Sequence, residues 1–225
     1  MEVVLSLGGS IIVPEKIDTA FLKEFRRIIL DFIKKGNRVA IVAGGGHTCR
    51  LYNRAAAEIK PDVSQEDLDW MGIKATKLNA ELVRAIFAEH AYEEVIDDPT
   101  QKIKTDKPII VGSGWKPGCS SDMDTVLLAV NLGMGTVVNL SNIEYVYDKD
   151  PKKHEDARKI EKMPWKRMQE IVGDKWIPGA NLPFDPVATK EAAKAKLKVV
   201  IMRGTDLGNL SNFLDGKEFR GTTIQ

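Results

Sequence analysis

Cysteine is scarce in this chain: Cys49 and Cys119 are its only two, far apart, with no CxxC pair and no histidine cluster beside them. That excludes a disulfide framework, argues against a structural zinc site and fits a reducing, cytoplasmic setting. Histidine is nearly as rare, and His47, His90 and His154 lie too far from one another to suggest catalysis; no metal-ligating set is evident. Long apolar runs are missing, since nothing reaches the roughly 18 apolar residues of a membrane span. The apolar start, Met1–Val13, is broken by Gly8, Gly9 and Ser10, so it reads as a strand and turn rather than a secretory leader. Excess charge of one sign is missing too: 33 basic against 32 acidic side chains imply no nucleic acid and no membrane partner. Two familiar fingerprints are also absent. There is no GxxxxGKS or GxxxxGKT, and no strand leads into GxGxxG with an acidic residue at the expected distance, which argues against a P-loop enzyme and a Rossmann dehydrogenase alike.

What is present is an ordinary soluble-enzyme composition, 43% hydrophobic and 29% charged over 225 residues, enough for one domain with two lobes. Val3–Leu7 is a buried-strand run that ends in Gly8-Gly9-Ser10. From Asp18, a plausible N-cap, Phe21, Leu22, Phe25, Ile28, Ile29, Phe32 and Ile33 recur at helical spacing until Gly36 closes the element. Val39–Val42 predicts a second strand, delivered into Gly44-Gly45-Gly46, and helices follow over Thr48–Ile59 and from the capped start at Ser64 to about Ala88. Ile109–Val111 feeds Gly112-Ser113-Gly114, then a helix over Asp122–Leu132 and a strand over Thr136–Leu140. A surface loop spans Asp148–Arg158, helices span Pro164–Val172 and Asp185–Lys196, the latter opened by Pro186, and Lys198–Met202 returns to the sheet. Strands alternating with helices predict an α/β fold, a mostly parallel central sheet covered on both faces as a three-layer α/β/α sandwich.

Three strand ends therefore run into glycine-rich turns. Glycine lets backbone N–H groups approach an anion closely, and a following helix adds the positive end of its dipole. One such turn is more readily a plain tight turn. Three, each directly after an apolar strand, lie where open α/β sheets bind ligands, and together they point to phosphate.

With the turns in place, the order of short motifs along nearly the whole chain resembles the amino acid kinase family, and within it the archaeal uridylate (UMP) kinases. The motifs are Leu7-Gly8-Gly9-Ser10, Gly44-Gly45-Gly46 with Arg50, Asp69-Trp70-Met71-Gly72 with Asn79-Ala80, and Pro117-Gly118-Cys119-Ser120-Ser121-Asp122. Ser141-Asn142, Tyr147-Asp148-Lys149-Asp150-Pro151, Asp185-Pro186 with Lys190, and Gly221-Thr222-Thr223-Ile224 complete them. The resemblance implies an amino acid kinase fold with an acceptor-binding lobe over residues 1–135 and a nucleotide-binding lobe over 136–225. It implies that Gly9, Ser10, Gly46 and Arg50 contact the ATP phosphates, and that Ser141, Asn142, Tyr147 and Asp150 hold the adenosine. Gly45, Asp69 and the loop of Trp115, Lys116, Pro117, Gly118, Cys119, Ser120 and Ser121 would bind UMP. A homohexamer built as a trimer of dimers is implied as well.

Phosphoryl transfer asks for cations and alignment more than covalent chemistry. The candidates are Lys190, Arg50 and a magnesium ion bound mainly by the nucleotide phosphates, with Asp185 orienting Lys190 or the metal, or doing no more than N-capping its helix. Ser120, Ser121 and Asp122 would either meet an acceptor phosphate or merely cap a helix, and Asp69 would either meet a ribose or face solvent. The chain also departs from the family pattern. Ser6 stands where many members carry lysine, Glu144-Tyr145 where Asp-Gly is usual, and Trp115-Lys116 and Cys119 differ from the common acceptor loop. These departures keep open a kinase of the same fold with another small acceptor, and a nucleotide-binding or storage relative without turnover.

Overall fold

Val3–Leu5, Val39–Ala43, Ile109–Val111 and Val199–Met202 are all enclosed on both sides. Apolar runs of this kind belong to a parallel sheet sandwiched between helices, where both faces of every strand are covered. The computed structural model describes residues 1–151, 153–174 and 182–225. Its first half runs β1 (Glu2–Leu7), α1 (Gly9–Ile12), α2 (Thr19–Lys34), β2 (Arg38–Ala43), α3 (Gly46–Ile59), α4 (Gln65–Phe87), β3 (Ile109–Gly112) and α5 (Ser121–Leu132). The second half runs β4 (Thr136–Ser141), β5 (Val146–Tyr147), β6 (Lys159–Ile160), β7 (Lys162–Met163), α6 (Trp165–Val172), α7 (Pro186–Lys194), β8 (Lys198–Arg203), α8 (Leu207–Leu214) and β9 (Thr222–Ile224).

The main sheet has the order β3-β2-β1-β4-β8-β9-β7, parallel throughout except where β9 runs antiparallel to β8. A three-layer α/β/α architecture results. Helix α2 buries Leu22, Phe25, Ile28, Ile29 and Phe32 on one face, the spacing read from the sequence, and its N-cap Asp18 accepts a hydrogen bond from the Phe21 N–H at 2.9 Å. Each such side chain contributes about 1.5–3 kcal/mol on burial, and Phe25 meets Phe87 of α4 edge to face at 6.3 Å. Helices α2, α4 and α8 cover this side of the sheet, while α5, α6 and α7 cover the other.

Strand order decides where a ligand can enter. From β1 the chain moves outward through β2 and β3, then crosses back to lay β4 on the opposite side of β1. Loops leaving the carboxyl ends of β1 and β4 consequently part in opposite directions and leave a crevice between them. Ser6 and Asn139 are register partners at this switch point.

Some elements were not legible. Gly9–Ile12 folds as one helical turn, and the last twenty or so residues, left unassigned by pattern, supply α8 and the antiparallel β9. Leu207–Leu214 contains glycine, serine and two asparagines, all weak helix formers; burial of Leu210, Phe213 and Leu214 and the Asp206 N-cap hold it instead.

Candidate active site

The first two glycine turns touch each other. A Cβ placed on Gly9 would lie 2.1 Å from the Gly46 nitrogen and 2.5 Å from the Gly44 carbonyl carbon, and one on Gly46 would lie 2.2 Å from the Gly9 oxygen. Gly46 also has φ +63°, which glycine adopts without penalty. Backbone bonds tie the edge together: Gly44 N–H donates to Leu7 O at 3.0 Å, Gly8 N–H to Leu140 O at 3.2 Å and Gly204 N–H to Ser141 O at 2.8 Å. Over this interlock, the Arg50 guanidinium, one turn into α3, donates to the Ser10 hydroxyl at 3.0 Å. Gly9, Ser10, Gly46 and Arg50, read separately from the sequence, thus form one cluster at the start of α3.

The third turn is brought alongside by α4. Asn79, buried on that helix, donates to Gly44 O at 2.8 Å and Gly45 O at 3.2 Å, while Thr76, almost one turn earlier, accepts from the Gly114 N–H at 2.8 Å. Residues three apart share a helix face, so α4 holds both turns from a single stripe. At its N-terminal end Asp69 accepts from the Gly118 N–H at 3.1 Å and from Gln65 at 2.8 Å. Asp69 is half-buried and clamps the 115–121 loop through the Gly118 N–H. Lys116 lies 3.7 Å above the Trp115 ring, a cation–π pair on that loop. Ser120 N-caps α5 by accepting from the Met123 N–H at 3.2 Å, and Ser121 is the first residue of that helix.

A cavity of about 650 Å³ opens beyond β4, lined by Ser141, Asn142, Tyr147 and Asp150, and also by Tyr145 and Arg167. Its size is that of a site for a drug-sized ligand. Arg167 and its neighbours on α6 escaped the sequence reading, because only the fold carries α6 across to the 141–151 segment. Tyr145 replaces a glycine without strain: it is buried, Lys159 sits 4.7 Å over its ring, and among the described non-glycine residues only Ala88 and Lys196 have positive φ. Glu144 pairs with Arg220 at 3.5 Å.

Where α5 meets β4 and the start of α7 lies an acidic cluster of Asp122, Asp124 and Asp185, of which the sequence pattern named Asp122 and Asp185 singly but not Asp124. Asp122 accepts from the Asn139 amide at 3.1 Å and from the Asp185 N–H at 3.1 Å. Burial, with repulsion from Asp185 and Asp124 adding to it, pushes its carboxyl up to about 7. Asp124 accepts from Cys119 Sγ at 3.1 Å, and its own burial raises it to about 6. Burial first, then the charge of Asp124, drives the Cys119 thiol far above its ordinary range. Asp185 spends its carboxylate as the N-cap of α7, accepting from Val187 N–H at 2.7 Å and Ala188 N–H at 2.8 Å. Lys190 lies half-exposed on the same helix and pairs with Asp174 at 2.8 Å. The signal for Asp122 was its place directly after two serines at a helix start, which read equally well as a cap.

Comparison with known proteins agrees with this geometry. The model of the amino acid kinase family matches residues 1–203. The chain is 33% identical to the uridylate kinase of Pyrococcus abyssi over 228 residues, covering all of both chains, and 31% identical to that of Thermococcus sibiricus, again over both full lengths. It superimposes on the crystal structure of uridylate kinase from Archaeoglobus fulgidus with a TM-score of 0.86 at 31% identity, with complete coverage of both chains. The UMP kinase of Bacillus anthracis, 19% identical with a TM-score of 0.79 over all of this chain and 95% of its own, shares the fold.

Proposed function

This chain belongs to the amino acid kinase family, and we propose from that premise that it is an ATP-dependent uridylate kinase, moving the γ-phosphoryl group of ATP onto UMP to give ADP and UDP. The observation that carries this reading is the convergence of three glycine turns, two interlocked through their backbones and the third held by the same face of α4. Backbone donors at those turns, the positive end of α3 and the Arg50 guanidinium would receive the ATP phosphates, and the cavity beside Ser141, Asn142, Tyr147 and Asp150 would take the adenosine. The loop from Trp115 to Ser121, with Gly45 and Asp69, would take UMP at the far side of the crevice, and the positive end of α5 would meet its phosphate. Residues 1–135 would serve as the acceptor lobe and 136–225 as the nucleotide lobe, sharing one sheet across β1 and β4.

Magnesium would enter with the nucleotide. Among the described residues no group of three or more histidine, cysteine or carboxylate side chains converges to hold a metal, so its oxygen donors would come mainly from the phosphates and water, supplying charge neutralisation there. What the chain itself contributes is alignment of donor and acceptor and a set of fixed N–H dipoles. Lys190 would join them by leaving its exposed pairing with Asp174, an exchange between two solvent-screened partners that costs little.

A coupled assay for ADP tests the activity: turnover is expected with UMP ahead of CMP and dUMP, and no ADP with any of them ends the proposal. Asp69→Ala is expected to raise the KM for UMP by about 10–100-fold, since it frees the Gly118 turn that the carboxylate clamps, while changing the KM for ATP little. Equal effects on both substrates would refute that division of the crevice. That reaction would belong to pyrimidine nucleotide synthesis, with the cytoplasm as its setting; no described helix is long and apolar enough to cross a membrane. Helix α3 buries none of its residues within the chain and exposes Leu51, Tyr52 and Ile59, which supports assembly into a dimer and, as a trimer of dimers, a hexamer. Light scattering should give about six chain masses; a monomer would overturn this.

A further inference from the structure

The crevice must receive a polyanion, yet the side chains that meet at its floor are acidic. Asp122 is approached by Ser6 from β1, by Asn139 from β4, by the Asp185 backbone and carboxylate at the start of α7, and by Asp124 from its own helix. Among the described residues, no lysine or arginine forms an ion pair with Asp122, Asp124 or Asp185, and the two lysines of α7 are engaged elsewhere, Lys190 with Asp174 and Lys194 with Glu191. Carboxylates buried without a cation oppose incoming phosphate unless one of them gives up its charge.

Ser6 makes that possible. It is buried at the switch point, in register with Asn139, whose amide donates to Asp122 at 3.1 Å, and its hydroxyl lies beside the same carboxyl. A lysine there would bring a charge that holds Asp122 as an anion, whereas a neutral hydroxyl donates to the carboxylate or, once Asp122 is protonated, to its remaining carbonyl oxygen, leaving the one O–H of the acid for a phosphate. The pair therefore accommodates both charge states.

Resting on the ATP reading of this crevice, we propose that Ser6 and Asp122 form a proton-accepting pair. Asp122 takes one proton from solvent as the nucleotide phosphates enter, presents a neutral O–H that donates to a phosphate oxygen, and returns the proton when the products leave. The chain neutralises charge with a proton at the place where a lysine would supply it permanently.

The free protein is already poised for this, because burial and the neighbouring Asp185 and Asp124 charges raise Asp122 to about 7, and arriving phosphate pushes the same way. The sign follows. At about pH 8 the free carboxyl is mostly ionised, so binding takes up close to one proton; at about pH 5.5 it is already protonated and uptake disappears.

Isothermal titration of a non-hydrolysable ATP analogue with magnesium into the full chain, in buffers of differing ionisation enthalpy, measures this directly. Expected is uptake of about 0.5–1 proton at about pH 8, falling toward zero at about pH 5.5, and no such uptake in Asp122→Asn. Ser6→Ala removes a donor to the anion, so the pH of half-uptake should move upward. Binding with unchanged uptake in Asp122→Asn overturns the proton-accepting pair and leaves the nucleotide reading standing, whereas no binding by the wild type removes both. Should Asp122→Asn fail to fold, an unmoved half-uptake pH in Ser6→Ala overturns the pair by itself.

Discussion

Gly9→Ala and Gly46→Ala are each expected to lower kcat/KM by about 10²–10³-fold or more, the range seen when fixed donors to a developing charge are displaced. The reason is contact rather than flexibility. A methyl group on Gly9 would sit 2.1 Å from the Gly46 nitrogen, and one on Gly46 would sit 2.2 Å from the Gly9 oxygen. In both cases the obstacle is backbone, which cannot turn aside as a side chain would. The two turns must separate, and with them the N–H groups that would converge on phosphate. Overpacking of this kind also costs about 1–3 kcal/mol of stability, and at Gly46 the left-handed backbone, φ +63°, adds about 1–2 kcal/mol. Gly135→Ala is the control, since nothing lies within 4 Å of its Cβ position and its φ is not in the left-handed region; it should leave both rate and unfolding midpoint unchanged. Steady-state kinetics beside denaturant unfolding separates the two losses. Near-normal turnover by Gly9→Ala would mean that the interlock does not position the phosphates.

The two glycine turns themselves are legible in the sequence, and the reason is local. A strand that ends in glycine announces a close backbone approach through composition alone, so Gly9, Gly46 and the succession of apolar strands are readable from short windows. Helix α2 was readable for the same reason: its apolar stripe, its Asp18 cap and its closing Gly36 all lie within one segment. What sequence windows could not show is which turns meet. Asn79 and Gly44 are 35 residues apart, Arg50 and Ser10 are 40 apart, and Asp122 and Asp185 are 63 apart. Asp122 illustrates the limit, because a carboxylate two residues after a serine cap is ordinary at a helix start. Its distinction comes from what β1, β4 and α7 bring against it. Arg167 was missed likewise, since the cavity it lines exists only once α6 packs beside the 141–151 segment. The family resemblance supplied expected roles that spacing could not, and the geometry brings Gly9, Ser10, Gly46 and Arg50 together in one cluster.

Asn79→Asp should be the most damaging single-atom-class change on α4, and its damage should depend on pH. The Asn79 amide is buried and donates to both Gly44 O and Gly45 O, at 2.8 and 3.2 Å. Alanine there would leave two carbonyls without their donor and cost about 1–3 kcal/mol. Ionised aspartate is worse: it offers only acceptors to those acceptors and buries a charge without a partner, so about 3–5 kcal/mol is expected. The second glycine turn would be pushed away from Gly9, and the KM for ATP should rise with the loss of stability. A protonated aspartic acid, however, regains one O–H donor. Its folded-state pKa would stand above its unfolded value, so the penalty is absent at low pH and grows as pH rises through the folded value. Urea unfolding of the wild type, Asn79→Ala and Asn79→Asp at about pH 5 and about pH 8 should show Asn79→Asp approaching Asn79→Ala under acid and falling well below it under alkali. If the two variants track each other at both pH values, the amide does not donate to the turn, and the link by which α4 aligns the second glycine turn with the third is absent.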